Sequence, residues 1–138
     1  MFNKKLAIVG ASGAVGRVFI ELLDEMYPGT KDLFLVASKR SAGRSMFCGK
    51  QEFIIQDIEE FNFSQVEIAF FSAGAETAEK YAPIAVSKGC TVIDNSSQFR
   101  TDLDKPLIVP EVNSKDLKNF KLPGIIANPN CSTAQLVV

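Results

Sequence analysis

The segment KLAIVGASGAVGR, near the amino terminus, constrains the fold of this 138-residue chain more than any other feature. Residues 6–9 form a short, continuously apolar run, which is typical of a strand buried on both faces of a parallel sheet. Glycines follow at Gly10, Gly13 and Gly16, and an amphipathic pattern starts among them. Glycines let the backbone turn tightly and approach a pyrophosphate, which the free amides of a helix amino terminus bind. A plain glycine turn is the alternative, but the strand–turn–helix context favours a dinucleotide-binding loop.

The rest of the chain alternates between strand and helix patterns. Apolar runs predict strands in DLFLVAS, VEIAFFSAG, CTVIDNSS, PLIVPEV and GIIANPN, and residues 46–56 resemble a hairpin. The first helix is predicted to end at residues 27–29, and a second helix, from Glu76 to about Lys88, is predicted to break at Pro83. The apolar stripe predicted for the first helix consists of Val15, Val18, Phe19, Leu22, Leu23 and Met26. This alternation predicts an α/β fold with a Rossmann-like, doubly wound and mostly parallel sheet, and residues 1–138 form one domain.

The composition argues against a nucleic-acid or membrane protein. The net charge is −1 and no block of basic residues occurs, so no nucleic-acid partner is expected. No apolar run approaches the roughly 20 residues that cross a membrane. The cysteines, Cys48, Cys90 and Cys131, are odd in number and widely spaced, which fits reduced thiols in a cytoplasmic protein and predicts no metal site.

The loop after the second predicted strand indicates which dinucleotide is bound. NAD-binding folds usually place an acidic residue there, on the ribose 2′-hydroxyl. In this chain the positions hold Ser38, Lys39, Arg40 and Ser41. A guanidinium and hydroxyls suit a 2′-phosphate, so the prediction is NADP rather than NAD, with Lys39 in solvent.

The segment NPNCSTAQLVV presents a candidate nucleophile, Cys131. It follows a strand that ends at a proline, and it begins a helical pattern at the edge of the sheet where α/β proteins bind ligands. A thiolate is favoured at such a position, although a lone cysteine is ordinarily a buried structural residue. Cys90, at the start of a strand, is predicted to be such a core residue. Arg100, in a polar loop, is either solvent-exposed or a phosphate ligand.

Six motifs in order, GASGAVG, SKRSAGR, FFSAG, DNSSQFR, PLIVPEVN and ANPNCST, resemble the amino-terminal part of the aspartate-semialdehyde dehydrogenases. The resemblance runs from about Lys5 to the last residue. It implies reduction of aspartyl 4-phosphate by NADPH, through a cysteine thioester, in the biosynthesis of lysine, threonine and methionine. Two mild departures occur, at Ala75 and Gln98, where the family commonly has glycine and alanine.

The resemblance also implies roles for individual residues. Cys131 matches the acylated cysteine, Asn130 the residue beside it, and Arg100 the arginine that holds the substrate phosphate. Residues 12–15 match the pyrophosphate loop, and Arg40 and Ser41 match the 2′-phosphate contacts. The positions expected to bind the cofactor are Gly10, Ser12, Gly13, Ala14, Val15, Gly16, Ser38, Arg40, Ser41, Ser72, Ala73, Gly74 and Asn95.

The chain contains no histidine, and thiol catalysis normally needs an acid–base partner. Members of the resembled family continue into a carboxyl-terminal substrate and dimerisation domain that supplies a histidine. We therefore expect a homodimer for the longer enzyme and little or no turnover by residues 1–138 alone. The alternatives are an NADP-binding module without chemistry and an N-acetyl-glutamyl-phosphate reductase, whose family tends to have glycine directly before the cysteine.

Overall fold

The structure is a computed structural model that describes residues 3–138. Its strands are β1 (Leu6–Val9), β2 (Leu33–Ala37), β3 (Ser45–Cys48), β4 (Gln51–Ile54), β5 (Gln56–Asp57), β6 (Ile68–Phe71), β7 (Thr91–Asp94) and β8 (Ile125–Ala127). Its α-helices are α1 (Ala14–Met26), α2 (Ala75–Ser87), α3 (Pro110–Asn113) and α4 (Cys131–Val137). Short 3₁₀ helices span Phe63–Gln65 and Ser114–Asn119.

Six strands form one parallel sheet in the order β5-β2-β1-β6-β7-β8. The chain moves from β1 outward to β2 and β5, and then crosses to β6 on the other side of β1. The order of the strands therefore reverses between β1 and β6, which is where doubly wound sheets bind ligands. The predicted α/β, Rossmann-like class is confirmed, and β3 and β4 form the predicted hairpin.

The core lies on both faces of the sheet because its central strands are apolar throughout. All four residues of β1 are buried. Ala78, Ala82 and Ala85 of α2 pack with Phe63 and Phe71 on one face. On the other face, Ile20 and Leu23 of α1 pack with β1, β2 and the hairpin. Small alanines let α2 approach the sheet closely, and the phenylalanines fill the space beside it.

The packing face of α1 differs from the predicted apolar stripe. Gly16, Ile20 and Leu23 are the buried residues of the helix, whereas most of the predicted stripe is exposed. Several of these exposed side chains border a hollow of about 360 Å³ over β6 and β7. Beside the hollow, Phe19 stacks on Phe70 with ring centroids 4.1 Å apart. We call this surface the open apolar face; it is formed by Phe19, Leu22, Met26, Ile68, Phe70 and Ile93.

Two predictions of secondary structure were wrong. PLIVPEV does not form a strand: Leu107 makes an isolated bridge to Ala127, and α3 begins at Pro110. The proline lacks an amide hydrogen, so it ends the pairing and starts a helix, where that hydrogen is not needed. Helix α2 also runs without interruption through Pro83. Its buried alanines hold it on the sheet, so packing outweighs the loss of one backbone hydrogen bond.

Among residues 3–138, none of the helices has the length and apolar character needed to cross a membrane.

Candidate active site

The predicted dinucleotide loop forms a tight turn between β1 and α1. Gly10 has φ +86°, which L side chains rarely adopt, and a Cβ there would lie 2.8 Å from the backbone nitrogen of Ala73. The Gly10 amide donates to the Val36 carbonyl at 2.8 Å, and the Gly13 amide donates to the Gly10 carbonyl at 3.0 Å. A Cβ on Gly16 would overlap that same Gly10 carbonyl oxygen. Glycine at positions 10 and 16 is therefore a steric requirement of the turn.

A groove of about 270 Å³ opens beside this loop, at the carboxyl ends of β1, β2 and β6. The Ser12 hydroxyl donates to the Ser41 hydroxyl at 3.0 Å, which joins the glycine loop to the loop after β2. The Ser72 hydroxyl lies 3.0 Å from the Val9 carbonyl and donates to it, which fixes the end of β6 against β1. The groove is lined by Val9, Gly10, Ser12, Gly13, Ala37, Ser38, Ile58, Ser72, Ala73 and Thr77.

The basic residues of the loop after β2 directly follow Ser38, which lines the groove. Lys39 and Arg40 are exposed, and Ser41 is half-buried beside Ser12. The loop that carries them is held by the amide of Ser41, which donates to the Ser38 carbonyl at 2.8 Å. No acidic residue occupies residues 38–44, so a phosphate bound there meets no nearby carboxylate from this loop.

The loop after β7 is organised by a buried carboxylate that the sequence did not single out. Asp94 is fully buried and accepts hydrogen bonds from the amide and the hydroxyl of Ser96, at 3.1 and 2.6 Å. Burial raises the pKa of the Asp94 carboxyl above its ordinary value, and the Ser96 hydrogen bonds and the charge of Arg100 oppose that rise. Asp94 thus fixes the turn from which Asn95 projects.

Arg100 and Asn128 join the ends of β7 and β8. The Arg100 guanidinium donates from Nε to the Asn128 carbonyl and from Nη2 to the Asn95 carbonyl, both at 2.9 Å. The Asn128 side chain donates from Nδ2 to Asn95 Oδ1 at 2.7 Å. Arg100 is therefore not a free surface residue, because at least two of its five N–H donors hold the backbone.

Cys131 is the first residue of α4 and its side chain is exposed. The preceding Asn130 caps the helix: its Oδ1 accepts from the amides of Ser132 and Thr133 at 2.9 and 3.4 Å. The other cysteines are buried, as predicted for Cys90. Burial raises the pKa of Cys90 to about 12, and burial, together with the charge of Asp24, raises that of Cys48. Cys131 is thus the accessible thiol of the described residues.

Taken together, the predicted site residues follow five neighbouring strands, β2, β1, β6, β7 and β8, at one edge of the sheet. The structure places Gly10, Ser12, Gly13, Ser38, Ser72 and Ala73 in one groove. Ala14, Val15 and Gly16 begin α1, Gly74 precedes α2, and Asn95 and Cys131 follow the next strands of the sheet. Sequence reasoning missed Asp94, Asn128, Ile58 and Thr77; their only signal was a position at or just after the end of a strand, or early in a helix.

The reversal of strand order, the glycine turn and the adjoining groove define a dinucleotide-binding domain of the Rossmann type. Comparison with known protein families supports this class of domain. The family described as "Semialdehyde dehydrogenase, NAD binding domain" matches residues 5–120, and the chain belongs to that family. It is therefore a nucleotide-cofactor-binding domain.

Individual relatives extend the match beyond residue 120. The chain is 52% identical to an aspartate-semialdehyde dehydrogenase of Shewanella violacea over 134 residues, which are 96% of this chain and 39% of that protein. It superimposes with a TM-score of 0.90, at 50% identity, on a Vibrio cholerae aspartate semialdehyde dehydrogenase II complexed with ASA; the match covers 95% of this chain and 43% of that one.

A Candida albicans aspartate semialdehyde dehydrogenase with NADP superimposes with a TM-score of 0.78 at 31% identity, over 97% of this chain and 44% of that one. The chain thus spans about two fifths of the length of the relatives it matches.

Proposed function

We propose that this chain is the NADP-binding and nucleophile-bearing part of an aspartate-semialdehyde dehydrogenase. One observation carries the proposal: an exposed thiol, Cys131, follows β8 on the sheet edge at which the dinucleotide groove opens. The two similar enzymes whose structures contain ASA and NADP support the substrate and cofactor classes. The residues present fit a dinucleotide, because the groove is lined by Gly10, Ser12 and Gly13 of the glycine turn and α1 begins directly after this turn.

In the proposed reaction the Cys131 thiolate attacks the acyl carbon of aspartyl 4-phosphate, and the bond to the phosphate oxygen breaks. A thioester forms and inorganic phosphate leaves. NADPH, when bound, supplies the hydride that reduces this thioester. The aldehyde then departs and the thiolate is regenerated. Asn130 fixes the backbone on which the thiol is carried, through its two hydrogen bonds to the first turn of α4.

The cofactor is proposed to be NADP because of the loop after β2. The exposed Arg40 and the Ser12–Ser41 hydroxyl pair offer donors to a 2′-phosphate. Replacing Arg40 by alanine should weaken NADP binding by about 10-fold or more, which corresponds to one lost charge-assisted contact, and should leave NAD binding unchanged. Fluorescence titration with both dinucleotides measures this, and equal losses for NAD and NADP would contradict the assignment.

Arg100 is proposed to hold the phosphate of the substrate with the N–H groups that the two carbonyls do not use. Its guanidinium is already fixed by those carbonyls, so little conformational freedom is lost when an anion binds. Lysine at this position could not span both carbonyls. We therefore expect Arg100→Lys to raise the KM for phosphate and also to loosen the loop.

The acid–base group and most of the substrate site are proposed to lie in a further domain. The chain has no histidine, and its relatives are about two and a half times as long as the matched segment. We propose that this domain also forms a homodimer interface, and that the enzyme is cytoplasmic, which the free cysteines support.

The test is the phosphate-dependent oxidation of aspartate semialdehyde with NADP, followed by absorbance of NADPH, in the full-length polypeptide that contains this chain. We expect turnover by the full-length protein and its loss in Cys131→Ser, while residues 1–138 alone bind NADP weakly and do not turn over. Retention of turnover by the serine variant would exclude the thioester mechanism. NADP binding without any turnover by the full-length protein would instead favour a binding module.

A further inference from the structure

Asn128, the residue directly after β8, uses three of its polar groups to bind the loop after β7. Its backbone amide donates to the Asp94 carbonyl at 2.8 Å, and its Nδ2 donates to Asn95 Oδ1 at 2.7 Å. Its carbonyl accepts from Arg100 Nε at 2.9 Å. Asn128 is half-buried, and the residue that precedes it, Ala127, is fully buried. The position of Asn128 is thus fixed relative to Asn95.

The segment between Asn128 and the nucleophile is short and stiff. Pro129 is buried and has a fixed φ, and Asn130 is tied by its side chain to the first turn of α4. Cys131 therefore cannot move far without moving Asn128. A continuous path of hydrogen bonds and restrained backbone runs from the loop that carries Asn95, in the predicted cofactor site, to the thiol.

We propose that Asn128 is a positioning residue, whose side-chain amide holds the Cys131 thiol at a set distance from the loop on which the nicotinamide cofactor rests. This inference deepens the proposed function and rests on it. Asn128 reaches neither the cofactor groove nor the thiol itself; it acts through Asn95 on one side and Cys131 on the other.

We call the hydrogen bonds between the loop after β7 and Asn128 the brace; its side-chain bond from Asn128 to Asn95 can be removed by substitution while the backbone bond from Asn128 to Asp94 remains. Because misplacing a reacting group by about 1 Å can lower a rate by about 100-fold, loss of the amide should lower kcat by about 10- to 100-fold. Cofactor affinity should change less than 2-fold, since the groove is lined by other residues. A role limited to stability would lower the fraction of folded protein and leave kcat per folded site unchanged.

The experiment compares Asn128→Ala, Asn128→Asp and a matched control, Asn62→Ala, in the full-length polypeptide. Asn62 caps the 3₁₀ helix Phe63–Gln65 through its amide oxygen, and within residues 3–138 its side-chain hydrogen bonds go to Ser64, not to Asn95, Asn128 or α4. Aspartate keeps the shape of asparagine, and the Asn95 amide, which makes no other side-chain hydrogen bond in residues 3–138, can turn and donate to it. The aspartate variant should therefore recover most of the lost kcat.

Two measurements separate this inference from the proposed function. The first is kcat and KM per folded site, with the folded fraction measured by circular dichroism. The second is the slowing of Cys131 alkylation by bound NADP, which needs no substrate chemistry. We expect Asn128→Ala to lower kcat and to lose at least half of the protection of Cys131 by NADP, while the NADP affinity stays unchanged. Asn128→Asp should restore both kcat and protection. Asn62→Ala should alter neither.

Full protection and unchanged kcat in Asn128→Ala would overturn the positioning role, as would a loss that appears only in NADP affinity. Absence of semialdehyde turnover in the unmodified protein, with NADP protection that still depends on Asn128, would refute the proposed reaction and leave the positioning role standing. If bound NADP does not protect Cys131 even in the unmodified protein, the coupling itself is refuted.

Discussion

Replacing Gly16 by alanine sets helix propensity against packing, and the structure decides which effect is larger. Propensity alone would stabilise the first turn of α1 by about 1 kcal/mol. However, the added Cβ would overlap the Gly10 carbonyl oxygen and lie 2.9 Å from Cα of Ala11. Carbon atoms normally pack at about 3.5–4.0 Å, so α1 must move from the loop by roughly 0.6 Å or more.

Both neighbours are backbone atoms, so neither can rotate out of the way, and the strain should be near the upper end of the roughly 1–3 kcal/mol seen for overpacking. The net destabilisation is then about 2 kcal/mol, a fall in Tm of roughly 6 °C for a domain of this size. The displaced loop should also bind NADP at least about 10-fold more weakly, because the donors that face the pyrophosphate move with it.

Urea unfolding followed by circular dichroism measures the free energy of unfolding of Gly16→Ala against Gly74→Ala. Gly74 has φ −65° and open space around its Cβ position, so alanine there should change stability by less than about 1 kcal/mol. A Gly16→Ala variant more stable than the unmodified protein would show that propensity prevails and would refute the packing argument.

Three further predictions concern the thiols and the two loops at the site. In the folded chain, a disulfide reagent should modify Cys131 rapidly and reach Cys48 and Cys90 only after unfolding in urea; rapid reaction of two thiols would contradict their burial. Because burial raises the pKa of Asp94, the folded chain binds its proton more tightly than the unfolded chain does, and this contribution to stability falls as pH rises from about 4 through the raised pKa. Unfolding at several pH values should show that dependence reduced in Asp94→Asn; identical pH profiles would refute it. Asn130→Ala should lower stability by about 1 kcal/mol in urea unfolding, while Asn130→Asp, which keeps the accepting oxygen, should not; equal losses would argue against the cap.

The sequence predicted the parts of the fold that local patterns determine. Buried apolar runs identified the central strands, and the glycine turn located the groove, because both depend on neighbours within a few residues. The strand predicted for PLIVPEV was wrong because its apolar side chains favour a strand while its prolines oppose one, and only tertiary packing decides between the two. The apolar stripe predicted for α1 was wrong because the helix packs through Gly16, which lets α1 approach the backbone of Gly10 and Ala11 closely, rather than through its largest side chains.

The brace between Asn95 and Asn128 had no sequence signal at all. Its two side chains are separated by 33 positions, and either asparagine alone is consistent with an ordinary turn. Likewise, the sequence indicates only that Asp94 is the polar end of a strand, although its side chain is fully buried. Contacts of this kind follow only from the parallel register that places the ends of β7 and β8 side by side.

The open apolar face gives the two halves of the sheet different mechanical support. Strands β1 and β2 are covered on both faces by residues of this chain, whereas β6 and β7 have α2 on one face and partly exposed side chains on the other. Local opening needs less free energy where one layer is thin, so amide hydrogens of β6 and β7 should exchange with solvent sooner than those of β1. Thermal fluctuations would therefore disturb the strands that lead to Ser72 and Asn95 before they disturb β1, which leads to the glycine turn.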